Sequence, residues 1–293
     1  MSILSKFHDK NYKLLLLIPL ALIVFSFAYL GVFYSNNGDF MKKDISLTGG
    51  TSVTIYQQTD LLELENSLIN QLEDLNIREI SDLRTREQKA IIIETTSDSE
   101  KAKEVLEDYF GFELIEGENS NFEFTGSTLS ESFYRQLLIA ILIAFLFMAI
   151  VVFIIFKTAI PSVAVILAAF ADILMTLVLI NILGIKVSTA GIVAFLMLIG
   201  YSVDTDILLT TRVLKRKEGS LNERIFRSFK TGTTMTLTSL LAMLIALFVV
   251  KSFSAVLTQI FTVLVIGLAF DLLNTWITNV SILKWYVKAR RKE

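Results

Sequence analysis

LLIAILIAFLFMAIVVFIIF (Leu137–Phe156) is twenty residues without a charge, a proline or a glycine. About 20 helical residues cross a hydrocarbon core of roughly 30 Å, so this run reads as a membrane-spanning helix. Working outward from it finds more of the same. Lys157 and Pro161 bracket a tight turn, with Pro161 where a proline suits the first turn of a helix, and the next span covers Ile160–Leu183. Gly184–Lys186 is a short turn, and further spans follow at Val187–Leu209, Thr233–Val250 and Val256–Ile282. Upstream, Leu14–Phe33 is another uncharged run of twenty, entered through Lys6, Lys10 and Lys13. Its apolar core is full length and Tyr34–Asn37 offers no small-residue cleavage site, so a retained anchor is expected rather than a signal peptide. The chain of 293 residues, 53% hydrophobic with mean hydropathy +0.61, reads as an α-helical polytopic membrane protein with six transmembrane helices.

Lysine and arginine set the expected orientation. Residues 210–232 form a basic loop in this reading, with seven Lys/Arg against Glu218 and Glu223, and the tail 283–293 holds five against Glu293. The turns after the third and fifth spans hold one lysine each, Lys186 and Lys251. Residues 1–13, the basic loop and the tail are therefore expected in the cytoplasm, and residues 34–136 outside. Topology accounts for the basic loop without any nucleic acid.

The region 34–136 carries 21 acidic and 9 basic residues and is patterned like a folded domain. Ile45–Gln57 alternates as a strand does, and Asp60–Asp74 puts Leu61, Leu64, Leu68, Leu72 and Leu75 on one helical face. Ile77–Leu83 and Lys89–Glu94 read as strands. Asp98 or Ser99 caps a second helix carrying Ala102, Val105, Leu106 and Tyr109, and Phe112–Ile115 and Phe122–Phe124 complete the set. The order βαββαβ predicts an α+β, ferredoxin-like extracytoplasmic domain between helices one and two.

The chemistry available is narrow. There is no cysteine and one histidine, His8, so zinc sites, thiol nucleophiles and His-based triads, including those of an intramembrane protease, are set aside. Gly49-Gly50 lacks the Gly-Lys-Ser/Thr of a phosphate loop and reads instead as a bulge or close backbone approach. No catalytic residue, metal or cofactor is expected. What remains is four carboxylates at membrane depth: Asp172, Asp204, Asp206 and Asp271. An ionisable group at the bilayer centre costs about 3 kcal/mol on insertion scales, so its default reading is functional. Asp271 shares a helical stripe with Asn274, Thr275, Thr278 and Asn279, and a polar stripe in a membrane faces another helix or water. Thr231, Thr234 and Thr238 of the fifth span are the expected mates. Asp204 and Asp206 are two residues apart, roughly 200° around a helix, and cannot both face one cleft. No Lys or Arg lies inside a span to neutralise these acids; Arg212, two turns beyond Asp204, is nearest. Hydrogen bonding for assembly alone is the plainer alternative, at about 0.6 kcal/mol per bond.

Three motifs carry a resemblance. Asp44-Ile-Ser-Leu-Thr-Gly49-Gly50-Thr51 is similar to the Asp-Phe-x-Gly-Gly-Thr motif of the SecD/SecF family of protein-export membrane proteins. Gly200-Tyr201-Ser202-Val-Asp204-Thr-Asp206, continuing to Thr211-Arg212, resembles the fourth-span signature of that family's SecF branch. Asn274-Thr-Trp-Ile-Thr-Asn279 with Ile282-Leu-Lys-Trp285 resembles its archaeal members. The resemblance spans nearly the whole chain. It implies a non-enzymatic subunit that pairs with SecD in a twelve-helix unit of the resistance-nodulation-division type. Such a unit assists a SecY-type channel in moving unfolded secretory polypeptide across the lipid membrane, and in bacterial relatives it uses proton flow. Those relatives read Asn-Asp-Thr in the fourth span where this chain has Asp204-Thr205-Asp206, so the family aspartate falls on Thr205. The rival readings are a stand-alone transporter of small molecules or ions, of which six helices and one outer domain look like half, and a non-conducting translocon scaffold.

Overall fold

The computed structural model describes residues 12–82, 84–216 and 218–290. His8, Lys6, Lys10 and the last three residues of the tail lie outside the described residues. The elements in chain order are α1 (Leu17–Asn37), α2 (Ile45–Thr48), β1 (Gly50–Ile55), α3 (Leu61–Leu68), β2 (Asn76–Ser81), β3 (Gln88–Thr95), α4 (Ser99–Phe110), β4 (Ser120–Thr125), α5 (Ser127–Phe156), α6 (Ala159–Ile182), α7 (Thr189–Lys215), α8 (Leu221–Val250), α9 (Ala255–Leu273), a π-helical segment (Asn274–Asn279) and α10 (Val280–Arg290). Six helices among the described residues are long and apolar enough to cross a membrane; the last is one rod, Ala255–Arg290.

Helix ends depart from the hydropathy reading wherever polar residues extend a helix beyond its apolar run. The second span starts at Ser127, not Leu137, because an established helix propagates cheaply. The Glu131–Arg135 ion pair (2.7 Å) and the bond from the Tyr134 hydroxyl to Asp39 (2.8 Å) hold the added turns. The basic loop placed at 210–232 is corrected to a five-residue link, 216–220. Ser220 and Glu223 form a reciprocal capping box that starts α8, and Arg224 donates to the Val213 carbonyl at 2.7 Å and to that of Arg216. Leu209, Val213, Leu221, Ile225, Val280 and Leu283 cluster beneath these turns. Most of the basic residues therefore lie on amphipathic helix ends. The final helix likewise continues to Arg290 rather than stopping at Ile282.

The α+β unit is a four-stranded antiparallel sheet in the order β2-β3-β1-β4, with Val53 opposite Ile93 and Phe122. Val53, Ile55, Ile91 and Ile93 meet Leu64, Leu68, Ala102 and Leu106 of α3 and α4 on one face. The expected strand from Ile45 is shortened: Ile45–Thr48 is a single helical turn, opened by the Asp44 carboxylate accepting from the Ile45 N–H at 2.6 Å. The helix expected to reach Asp74 ends at Leu68. Phe112–Ile115 is not a strand, because the Asn119 side chain bonds the Ile115 N–H and the Glu113 carbonyl and folds this stretch into a turn. Leu114 still enters the core at 1% exposure.

Main-chain bonds fasten this unit to the bundle. Lys42 and Asp44 bracket Val187 (2.7 and 2.9 Å), Asn181 donates to the Phe40 carbonyl (2.7 Å), and Lys186 pairs with Asp74 (2.7 Å). Gly49 and Gly50 make the tight join possible. At φ +86° and +145°, added β-carbons would lie 2.5 Å from the Ser127 Cα and 2.3 Å from the Thr95 carbonyl oxygen. The close-approach reading of this pair thus has its cause in two backbones. Gly50→Ala is expected to lower stability by about 1–3 kcal/mol, the cost of a strained backbone position. Gly126→Ala, at a site with nothing within 4 Å of the new carbon, should be near neutral. Thermal unfolding of the detergent-solubilised chain by circular dichroism compares the two.

Candidate functional site

Three of the four intramembrane acids meet at the centre of the bundle, each supplied by a different helix. Asp172 sits mid-α6, Asp206 in the second half of α7, and Asp271 two residues before the end of α9; all three are 0% exposed. Asp172 accepts from the Ser202 hydroxyl at 2.5 Å and from the Asn274 amide at 2.7 Å. Asp206 accepts from the Asn279 amide at 2.7 Å. Asp271 accepts from Thr275 at 3.1 Å and from Thr236 at 3.4 Å. Thr278 closes the row by donating to the Asn274 carbonyl oxygen at 3.1 Å.

The helices bring these groups together by small-residue packing. Gly267 faces Leu198 so closely that a β-carbon would lie 2.4 Å from a leucine methyl. Gly232 is pressed against Trp276, whose ring stands edge-on to Phe229 at 5.1 Å. The polar stripe itself is π-helical from Asn274 to Asn279. The wider i→i+5 turn changes the phase expected at 100° per residue, yet Asn274, Thr275, Thr278 and Asn279 all stay at or below 3% exposure.

Each acid is thereby held by hydroxyls or amides of neighbouring turns rather than by a bond to another acid. Asp206 Oδ2, Asn279 Oδ1, Thr210 Oγ1 and Trp276 Nε1 are buried without a partner among the described residues. They place unfilled hydrogen-bonding capacity on the Arg290 side of the group.

Other expectations are corrected. Arg212 does not approach an acid; its guanidinium bonds the Arg227 carbonyl (3.0 Å) and Thr231 (2.9 Å), tying α7 to α8. Thr234 and Thr238 bond carbonyls of their own helix, and the mate offered by α8 is Thr236, which also meets Thr205 at 3.3 Å. Asp206 and Asp204 part as their spacing requires: Asp206 turns inward and Asp204 is exposed on the face that carries Gly200 and Tyr201. Asp44 and Thr51 are structural, the one capping α2 and the other donating to the Ser97 carbonyl at 2.8 Å. Thr236 and Thr205 were missed as network members. A lone threonine in a span ordinarily satisfies its own helix, so only tertiary packing singles them out.

Comparison with known proteins agrees with this layout. The family described as protein export membrane protein SecD/SecF, C-terminal, matches residues 107–289. The protein-export membrane protein SecF of Methanocaldococcus jannaschii is 41% identical over 288 residues, 96% of this chain and 98% of the relative. That of Methanothermobacter thermautotrophicus is 40% identical over 96% of this chain and 94% of its own length. In fold, the chain is similar to the crystal structure of SecDF, a translocon-associated membrane protein from Thermus thermophilus, with a TM-score of 0.70 at 21% identity over 96% of this chain. SecDF in its super-membrane-facing form matches with a TM-score of 0.58 at 18% identity over 94% of this chain. This chain spans 38% of the length of either SecDF structure. With its six apolar helices, its small antiparallel sheet and close relatives of this length, the chain belongs to the SecF family of protein-export membrane proteins, in its archaeal form.

Proposed function

We propose that this protein is a non-enzymatic accessory subunit of a protein-export translocase, and that the Asp172–Asp206–Asp271 network couples it to the proton gradient. The observation that carries the reading is the network itself. Three carboxylates from three helices are each held by hydroxyls or amides at full burial, and no Lys or Arg bonds any of them among the described residues. Ionisable groups are expensive at this depth, and hydrogen bonding for assembly needs none. Thr205, where bacterial relatives carry the family aspartate, bonds the threonine that also contacts Asp271, so the inward acid of this helix is Asp206, one residue on.

In this reading the partner is SecD, completing a twelve-helix unit beside a SecY-type channel. Asp204 supports it: a carboxylate exposed on a spanning helix has no lipid-compatible surroundings and requires a protein surface over it. The α+β unit, residues 34–136 by sequence, has the βαββαβ order and 2-3-1-4 sheet of a ferredoxin-like domain. In this reading it lies outside the membrane, where it meets unfolded secretory polypeptide. Both termini and the basic ends of α7, α8 and α10 are placed in the cytoplasm by the distribution of Lys and Arg.

Two experiments test this. Asn substitution at Asp172, Asp206 and Asp271 keeps size and hydrogen bonding while removing the titratable group. At least one variant is expected to reduce precursor export to the level of cells lacking the protein, with abundance and SecD association unchanged. Wild-type export by all three under a pH gradient would favour the scaffold reading, and altered drug tolerance without an export defect the transporter. Asp204→Leu is expected to lower recovery of SecD on co-purification while shifting the stability of the isolated chain by less than about 0.5 kcal/mol, as surface changes do. Undiminished recovery would remove Asp204 from the partner interface.

A further inference from the structure

Beneath the sheet, between its helix-free face and the outward turns of the bundle, lies a cavity of about 1130 Å³, large even for a ligand cleft. Its roof is β2, the edge strand of the sheet. The Ser81 N–H already donates outward to the Ser252 carbonyl at 2.8 Å, and among the described residues Ser81 is the one β2 residue whose main chain bonds outside the sheet. Backbone groups alternate in direction along a strand, so those of Ile77 and Glu79 are directed to the same open side. An edge of this kind is a template for an added strand.

The lining fits a peptide better than a lipid tail. Arg78, Arg86, Lys186 and Lys251 line it together with Asp44 and Glu79. Arg78 is tethered to Glu94, and Lys186 to Asp74, whereas Arg86 and Lys251 have no ion pair among the described residues. Burial pushes the Glu94 carboxyl up, Asp44 adds to this, and Arg78 and Asn76 oppose it. Phe253 on the rim, 44% exposed, offers an apolar contact.

We propose that the outer edge of β2 receives a segment of extended polypeptide as a fifth strand, with alternate side chains entering the cavity and a preference for segments carrying acidic residues. The inference rests on the export reading and locates contact with the exported chain at one sheet edge.

The test uses the full chain in native membranes. A photoreactive benzoylphenylalanine replaces Phe253, and a secretory precursor is arrested in export by a folded C-terminal domain. An adduct between the chain and the precursor is expected from Phe253, and not from the same probe at Phe124 on the opposite edge strand, 61% exposed. Glu79→Pro removes one outward N–H where an edge strand tolerates proline. It should lower the adduct about fivefold, the weight of one net hydrogen bond. If Glu79→Pro lowers abundance, Arg86→Glu with Lys251→Glu decides in its place by shifting preference toward basic segments. Equal adducts from both probes, insensitivity to Glu79→Pro and to the charge reversal, or adducts only with another subunit or lipid would overturn the proposal. Loss of export on deleting the chain, with no adduct at Phe253, would remove this site and leave the export reading standing.

Discussion

A bilayer interior offers no water to a polar atom, and the organisation of this bundle follows from that single constraint. Once three aspartates are placed at membrane depth, amides and hydroxyls have to be supplied within hydrogen-bonding distance. Ser202, Thr236, Asn274, Thr275 and Asn279 provide them. Those short side chains demand close helices, which is why Gly232 and Gly267 sit where any β-carbon would collide. The least buried spans, α5 and α8, present leucine, isoleucine and phenylalanine outward, while α6 and α7 hold the polar work inside.

The two halves of the molecule are joined by backbone bonds as well as by the apolar cluster that seats Met41 and Leu47 against Ile180, Val187 and Ile192. Val187 lies between Lys42 and Asp44, Ser252 meets Ser81, and the glycine pair lets β1 pass within contact of α5 and β3. The sheet is therefore registered to two turns of the bundle, one between α6 and α7 and one between α8 and α9. Both turns cap helices that carry network acids.

Much of this was legible in the sequence because the physics involved is local. Uncharged runs such as Leu137–Phe156 identify spans, and alternation around Val53 and Ile55 identifies a sheet with a single buried face. The depth of Asp172 and Asp271 marked them for attention without any structure, and the two-residue spacing of Asp204 and Asp206 foretold that only one would face inward. What stayed hidden is tertiary or cooperative. Hydropathy cannot see helices that continue through polar residues, so the capped link at 216–220 looked like a long basic loop. Nor does any single residue announce that Thr236 rather than Thr234 turns toward Asp271. The Asn119 turn that displaced the expected strand at Phe112–Ile115 likewise depends on one side chain closing on two distant main-chain groups.

The wide turn at Asn274–Asn279 has a mechanical meaning for the rod Ala255–Arg290. A π turn carries surplus residue compared with an α turn of similar rise, so it behaves like slack wound into a screw. Moving that slack by one position exchanges a few hydrogen bonds, turns the residue passed over by about 100° and leaves the length and phase of both ends unchanged. One end of this rod starts beside Ser252 and the sheet edge, and the acids grip it at the slack itself. A change in how the amides of Asn274 and Asn279 are held is thereby taken up within the slack, and the rod on either side keeps its place against the sheet edge.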